Sequence, residues 1–165
     1  MAKNNNRKFV PPQNIPEKAS KRVPDQASYD AATKYEGSQF RFSSQHIDLE
    51  VGPTCGCEWE WGPELAIWKE VLHYLGDYSG KTWAEIEAER TGGKQRHKKH
   101  HSMDVTKLPQ AARTRLQAHF GDDAPDALFR FRLSGKGRLW GIRDGAIFHL
   151  LWYDPLHRVY PTDPN

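Results

Sequence analysis

Hydrophobic and polar positions alternate with period two at both ends of the chain and recur at helical spacing between them. Near the N-terminal side, Phe40 and Phe42 share one parity and Ile47, Leu49 and Val51 the other. The change predicts an extended run broken by a bulge or short turn at residues 43–45 and ended by Gly52-Pro53. Trp59 and Trp61 then alternate with Glu58 and Glu60. Pro63 suits a first helical position, and Leu65, Trp68, Leu72 and Leu75 recur at helical spacing up to Gly76. Thr82 with Glu85 forms a capping-box signature for a short second helix with Trp83 and Ile86 inward. A third helix is predicted from Pro109 to Phe120, with Ala112, Leu116 and Phe120 on one side and Gly121 as its stop.

The last forty residues read as strands. Phe129, Phe131 and Leu133 alternate with Arg130 and Arg132, and residues 134–137 supply a turn rich in glycine. Asp144-Gly145 between two apolar runs is a strong hairpin signal. Ile147 to Trp152 is apolar on both parities, as expected of an interior strand covered on both faces. Asp154-Pro155 turns the chain into a final segment, residues 157–160. The fold class predicted is α+β, with about three helices packed on a small antiparallel sheet that ends in a three-stranded meander.

Residues 1–38 carry Pro11, Pro12, Pro16 and Pro24 and too few apolar positions to build a buried face, so a disordered basic tail is expected there. Residues 39–165 form one domain, as the 165-residue length suggests. Within it, residues 46–89 hold ten acids against two bases, whereas residues 90–101 hold five bases and no acid. Residues 107–143 hold eight bases against three acids. The net charge of +3 therefore conceals a dipolar chain whose basic half can attract a polyanion. No apolar run approaches the ~18 residues of a membrane span, and the N-terminus has no apolar signal core. With two cysteines only, a cytoplasmic protein without a disulfide framework is expected.

Several groups could carry chemistry. Burying Phe129, Phe131 and Leu133 turns Arg130 and Arg132 outward together, with Lys136 in the following turn and Arg138 opening the next strand. Such cations suit a backbone phosphate, since an arginine fork binds two oxygens at once. His157, Arg158 and Tyr160 close the sheet. A histidine, an arginine and a tyrosine are the groups needed to cleave RNA without a metal: one accepts the 2′-hydroxyl proton, one protonates the leaving oxygen, and cations stabilise charge on phosphorus. The stretch containing Lys94, Arg96, Lys98, Lys99, His100 and His101 reads as an RNA-contacting loop or as a solvated charged loop. If it were helical, His97 and His101 would share a face at metal-ligand spacing, but its five cations oppose a divalent ion. No metal and no cofactor is expected. Cys55 and Cys57 supply two thiolates without a second pair, and Trp59 and Trp61 are the tryptophans that could face a partner. Phosphate-loop, serine-hydrolase and zincin motifs are absent.

Gly137-Arg138-Leu139-Trp140-Gly141-Ile142, the Asp144-Gly145 hairpin, the apolar run 147–152 and His157-Arg158-Val159-Tyr160, following a helix, resemble the toxins of the RelE/ParE superfamily over residues 105–161. In the ribonuclease branch of that family a small sheet and two helices hold a basic, metal-independent site that cuts messenger RNA, often within the ribosome. The resemblance implies Arg138 and Lys136 as phosphate-stabilising cations, His157 or Tyr160 as the proton-transfer group, and Arg158 as an assistant. Arg130, Arg132, Arg158 and the 94–101 stretch would bind RNA, and an antitoxin protein would be a partner. The alternative is a non-catalytic module that binds RNA, the ribosome or a protein through the same basic sheet.

Overall fold

A computed structural model describes residues 34–49, 59, 61, 64–92, 94 and 96–161. Its centre is a five-stranded sheet: β1 (Arg41–Ser43), β2 (His101–Asp104), β3 (Ala127–Arg132), β4 (Arg138–Asp144) and β5 (Ile147–Asp154), in the spatial order β1-β5-β4-β3-β2. Strands β2 to β5 pair antiparallel, which includes the expected meander, and β1 adds to β5 in parallel. The sheet is therefore mixed rather than purely antiparallel. The parallel pair is possible because α1 (Leu65–Ser79) and α2 (Trp83–Ala88) lie between β1 and the meander in sequence, supplying a long crossover. A third helix, α3 (Gln110–Phe120), follows β2.

Each face of the sheet has its own core. On the first, Val71, Leu75 and Tyr78 of α1 and Trp83 and Ile86 of α2 cluster with Phe129, Phe131, Leu139, Phe148 and Leu150. On the second, Leu108, Ala112 and Leu116 cover Leu128, Trp140, Leu151, Trp152 and Val159. Strand β5 is covered on both faces, as its two apolar parities require. Its faces exchange at a bulge: Trp140 pairs with Trp152 and Gly141 with Leu150, which leaves Leu151 outside the ladder. The Leu151 carbonyl is instead satisfied by the Trp61 indole N–H at 2.9 Å and the Asp48 amide at 3.1 Å. Gly141 is required here, because a Cβ would enter the Phe148 ring at 2.6 Å and strike the His149 carbonyl.

The capping box of α2 is formed: Glu85 N–H donates to Thr82 Oγ1, and Thr82 N–H donates to the Glu85 carboxylate. Gly121 and Gly145 take the left-handed backbone (φ 58° at each) that ends α3 and closes the β4–β5 hairpin. In α1 the inward stripe differs from the one expected. Val71, Leu75 and Tyr78 are buried while Leu65 and Leu72 are 66% and 53% exposed. The tyrosines win because their hydroxyls find partners: Tyr74 donates to the Arg132 carbonyl at 3.0 Å and Tyr78 to Glu89 at 2.7 Å. Trp59 and Trp61 do not face a partner but are buried, Trp59 near Trp152 (5.9 Å between rings) and Trp61 stacked on Trp68 (4.7 Å). Ile47 packs against the first core whereas Leu49 is exposed.

Tyr35–Ser38, which the sequence assigns to the tail, bond to the start of α2, with Trp83 N–H donating to the Ser38 carbonyl and Ala84 N–H to the Glu36 carbonyl. The expected disorder of residues 1–33, the end of the first extended run at Gly52-Pro53, Cys55, Cys57 and Pro63 lie outside the described residues. The acidic helices pack on the first core, opposite the face to which Arg130 and Arg132 point. Among the described residues no helix is long and apolar enough to cross a membrane.

Candidate nucleic-acid interface

Alternation along β3 sends Phe129 and Phe131 into the first core and Leu128, Arg130 and Arg132 to the other face. Leu128 lies under α3, while the arginines lie beyond it toward the end of the strand. Register then assembles the site: His101 pairs with Arg130, Arg132 with Arg138, and Arg138 with Asp154. Arg90 and Lys98 form an antiparallel bridge, and Thr91 N–H donates to the His97 carbonyl at 2.8 Å. The result is a cleft of about 570 Å³ lined by Thr91, His97, Lys98, Lys99, His101, Arg130, Arg132, Arg138 and His157.

The cleft concentrates positive charge and withholds negative charge. Arg130, Arg132 and Arg138 pair with no carboxylate among the described residues. Arg138 is 6% exposed; its Nη1 donates to the carbonyls of Gly137 (2.8 Å) and Gly135 (3.2 Å). The buried Nε atoms of Arg138 and Arg130 have no hydrogen-bond partner. Burial, then the neighbouring Arg130 and Arg132, push the Arg138 guanidinium down to about 10. Arg130 is lowered by burial and by Arg132, and its guanidinium lies 5.7 Å from the centre of the Trp140 ring.

Two histidines meet this field. Arg130 Nη1 approaches His157 Nε2 at 3.2 Å, and because a guanidinium only donates, Nε2 is the acceptor and the proton sits on Nδ1. Burial, then Arg138, Arg130 and Arg132, push His157 down to about 4, so it is neutral at pH 7. His101 is likewise lowered, by burial first and then by Arg130. His157 holds a left-handed backbone (φ 62°), uncommon for a non-glycine residue though less so for histidine than for most.

Of the residues singled out from sequence, Arg138, His157, Arg130, Arg132, Lys98, Lys99 and His101 converge on this cleft. Lys136 is exposed in the β3–β4 turn and does not line it, and Arg158 is exposed beside it. Tyr160 is half-buried against the second core, within electrostatic reach of Arg130. Lys94 and Arg96 are exposed and do not line the cleft. His100 is fully buried on the opposite side of the sheet, where its Nδ1 accepts the Arg132 amide at 3.1 Å and its Nε2 lies 2.9 Å from the Tyr78 hydroxyl. It contacts no solvent and holds the sheet rather than a ligand. Lys99 is partly neutralised, donating to Glu89 at 2.8 Å. Burial opposes ionisation of Glu89, but hydrogen bonds from Lys81, Lys99 and Tyr78 outweigh it and hold the carboxyl at about 2.

Thr91 and His97 line the cleft without a sequence signal that places them there, and Asp154 lies buried across the strand pair from Arg138. Thr91 and His97 arrive through the Arg90–Lys98 bridge, whose sequence sign is the glycine pair after Thr91. Asp154 was visible only as the start of an Asp-Pro turn. Among the described residues no group of three or more His, Cys, Asp or Glu side chains is arranged to hold a metal ion. No protein-family model, curated protein or solved structure matches the chain.

Proposed function

We propose that the chain is an endoribonuclease that grips an RNA backbone in the arginine cleft and cuts it by transesterification without a metal. The observation that carries this reading is the convergence of three arginines lacking carboxylate partners with two neutral imidazoles in one cleft. A solubilising arginine has no reason to be buried against other arginines. A cluster of guanidinium groups with no carboxylate to neutralise it is matched in charge to an oxyanion such as a phosphodiester.

In the proposed reaction the 2′-hydroxyl oxygen attacks the adjacent phosphorus and the bond from phosphorus to the 5′-oxygen breaks. One histidine takes the hydroxyl proton and the other gives a proton to the departing oxygen, leaving a 2′,3′-cyclic phosphate and a 5′-hydroxyl. Burial first and the arginine field second lower both imidazoles; a bound phosphodiester offsets the second contribution and so favours the protonated form of the histidine that acts as acid. Arg138, Arg130 and Arg132 stabilise the extra charge on the pentavalent phosphorus. The resemblance of residues 105–161 to RelE/ParE toxins adds messenger RNA on the ribosome as a substrate and an antitoxin as a partner within the same proposal.

One observation favours a second reading, a non-catalytic RNA binder. The Nε2 lone pair of His157 is already engaged by Arg130, which opposes its use as a base. End-labelled RNA incubated with the protein in EDTA separates the two. The proposal expects cuts ending in cyclic phosphate, abolished by a 2′-deoxy nucleotide at the cut site. Intact RNA retained by the protein, with and without translating ribosomes, would establish the binder.

A further inference from the structure

We propose that Asp154 is the positioning residue of the cleft, holding the left-handed turn that places the His157 imidazole against Arg130. Asp154 is fully buried at the end of β5, opposite Arg138. Its carboxylate accepts three hydrogen bonds: Arg158 N–H at 2.7 Å on Oδ1, and Val159 N–H at 3.1 Å and the Trp140 indole N–H at 3.3 Å on Oδ2. Both amides follow His157 directly in the chain. The turn is thus closed on the carboxylate, with His157 enclosed between its fixed ends at φ 62°.

Histidine enters that backbone more readily than most non-glycine residues, and the carboxylate fixes it there by holding the two amides that follow. All three groups facing it donate, so an acceptor-only ionised carboxylate fits, whereas a carboxamide would turn an NH₂ toward an N–H. Asp154 also acts on the arginines without pairing with them, its charge favouring the protonated forms of Arg130 and Arg138. It therefore tempers the cluster that charges the cleft while leaving the guanidinium edges available to an anion. Lysine or arginine in its place would add to the cluster; alanine would leave three donors without acceptors.

The catalytic consequence rests on the ribonuclease reading, but the placement of His157 does not, and the two can be tested apart. In the full-length Asp154→Asn protein, the His157 ring followed by NMR through a pH titration reports whether it still sits among the arginines. The expected result is a rise from about 4 toward the ordinary 6.5 as the turn relaxes. A 2′-O-methyl oligoribonucleotide, which cannot be cut, is expected to bind the variant at least as tightly as the wild type, because a negative charge has been removed. Turnover of cleavable RNA should fall ~100-fold, the size of a lost proton-transfer group, with KM little changed. A merely structural role would weaken binding and turnover together. A folded Asp154→Asn protein in which His157 titrates as in the wild type overturns the proposal. Should the variant not fold, the wild type decides: the Arg158 and Val159 amides are expected to exchange with solvent at least ~100-fold more slowly than unprotected amides, and unprotected exchange overturns it. A wild-type protein that neither binds nor cuts RNA would remove the ribonuclease reading and leave the NMR result to judge Asp154.

Discussion

Arg138 is buried, carries an unpartnered Nε and lies across the strand pair from a second arginine, three conditions that each cost stability unless an anion is the intended neighbour. Relieving it should therefore separate stability from binding: Arg138→Met is expected to leave the unfolding midpoint unchanged or raised while RNA binding weakens, and equal losses in both would contradict this. The histidines give the site a pH signature. His157 and His100 each titrate near 4 when folded against an ordinary 6.5, the first through burial and the three arginines, the second through burial. Between those values the unfolded chain binds protons that the folded chain does not, so stability is complete above about 6.5 and falls as pH drops toward 4. Glu89, held at about 2, extends the loss to lower pH. Urea midpoints measured from pH 7 to pH 4 should fall steadily, and less steeply in His157→Asn; a flat profile would show that the imidazoles are not held neutral. At Gly141 the chemistry is steric, and Gly141→Ala should cost about 3 kcal/mol or more in urea unfolding because the added methyl meets backbone and a packed ring.

At the level of elements, α3 packs on the second core and is also tied to the segment after β1 through Asp48, which Arg115 and, at 3.9 Å, His119 approach. Arg115 donates two hydrogen bonds of 2.6 Å to the Asp48 carboxylate, which also accepts the Trp152 indole N–H at 2.9 Å. Asp48→Ala should destabilise by roughly 3 kcal/mol, since it removes the buried acceptor of a half-buried guanidinium and of the Trp152 indole N–H; a loss under about 1 kcal/mol would mean that α3 is held by packing alone. This contact also shows what could be read from the sequence. Local signals were sufficient for the meander, the Asp144-Gly145 hairpin, the capping box of α2 and the glycine stop of α3, because each is decided within a few residues. Non-local choices were not legible. The stripe of α1 was settled by where the Tyr74 and Tyr78 hydroxyls could find acceptors on β3 and beside α2, contacts separated by up to fifty-eight residues. Strand β2 was hidden because His101–Asp104 has no run of alternating apolar residues; it exists by pairing with β3. Trp59 and Trp61 were buried by partners far along the chain, Trp152 and Leu151.

Over the whole molecule, the fold pairs part of the acidic segment with the basic one, Asp48 with Arg115 among them, and leaves three arginines of the cleft outside that pairing. Glu87 pairs with Arg143, and Glu89 with Lys81 and Lys99, so the acidic helices neutralise the rim of their own face. Arg130, Arg132 and Arg138 open on the other face without carboxylate partners. That placement explains how the seven cleft residues named from sequence came together: alternation in β3 and the first residue of β4 were visible, whereas the arrival of His101 and His157 depended on strand register and on Asp154. An interface of this kind binds RNA mainly through phosphates, so affinity should fall steeply as salt rises, with a log–log slope near −0.7 for each phosphate contacted on a single strand. A slope near zero would show that the cleft does not hold a backbone. The most direct measurement is cleavage itself: end-labelled RNA in EDTA with the wild type, Arg138→Ala, His157→Ala and, as a control on the far surface of α3, Arg113→Ala. Cyclic-phosphate products are expected from the wild type and Arg113→Ala, with cutting at least ~100-fold slower in the two cleft variants. Equal rates in all four proteins, or no product from any, would contradict the ribonuclease reading.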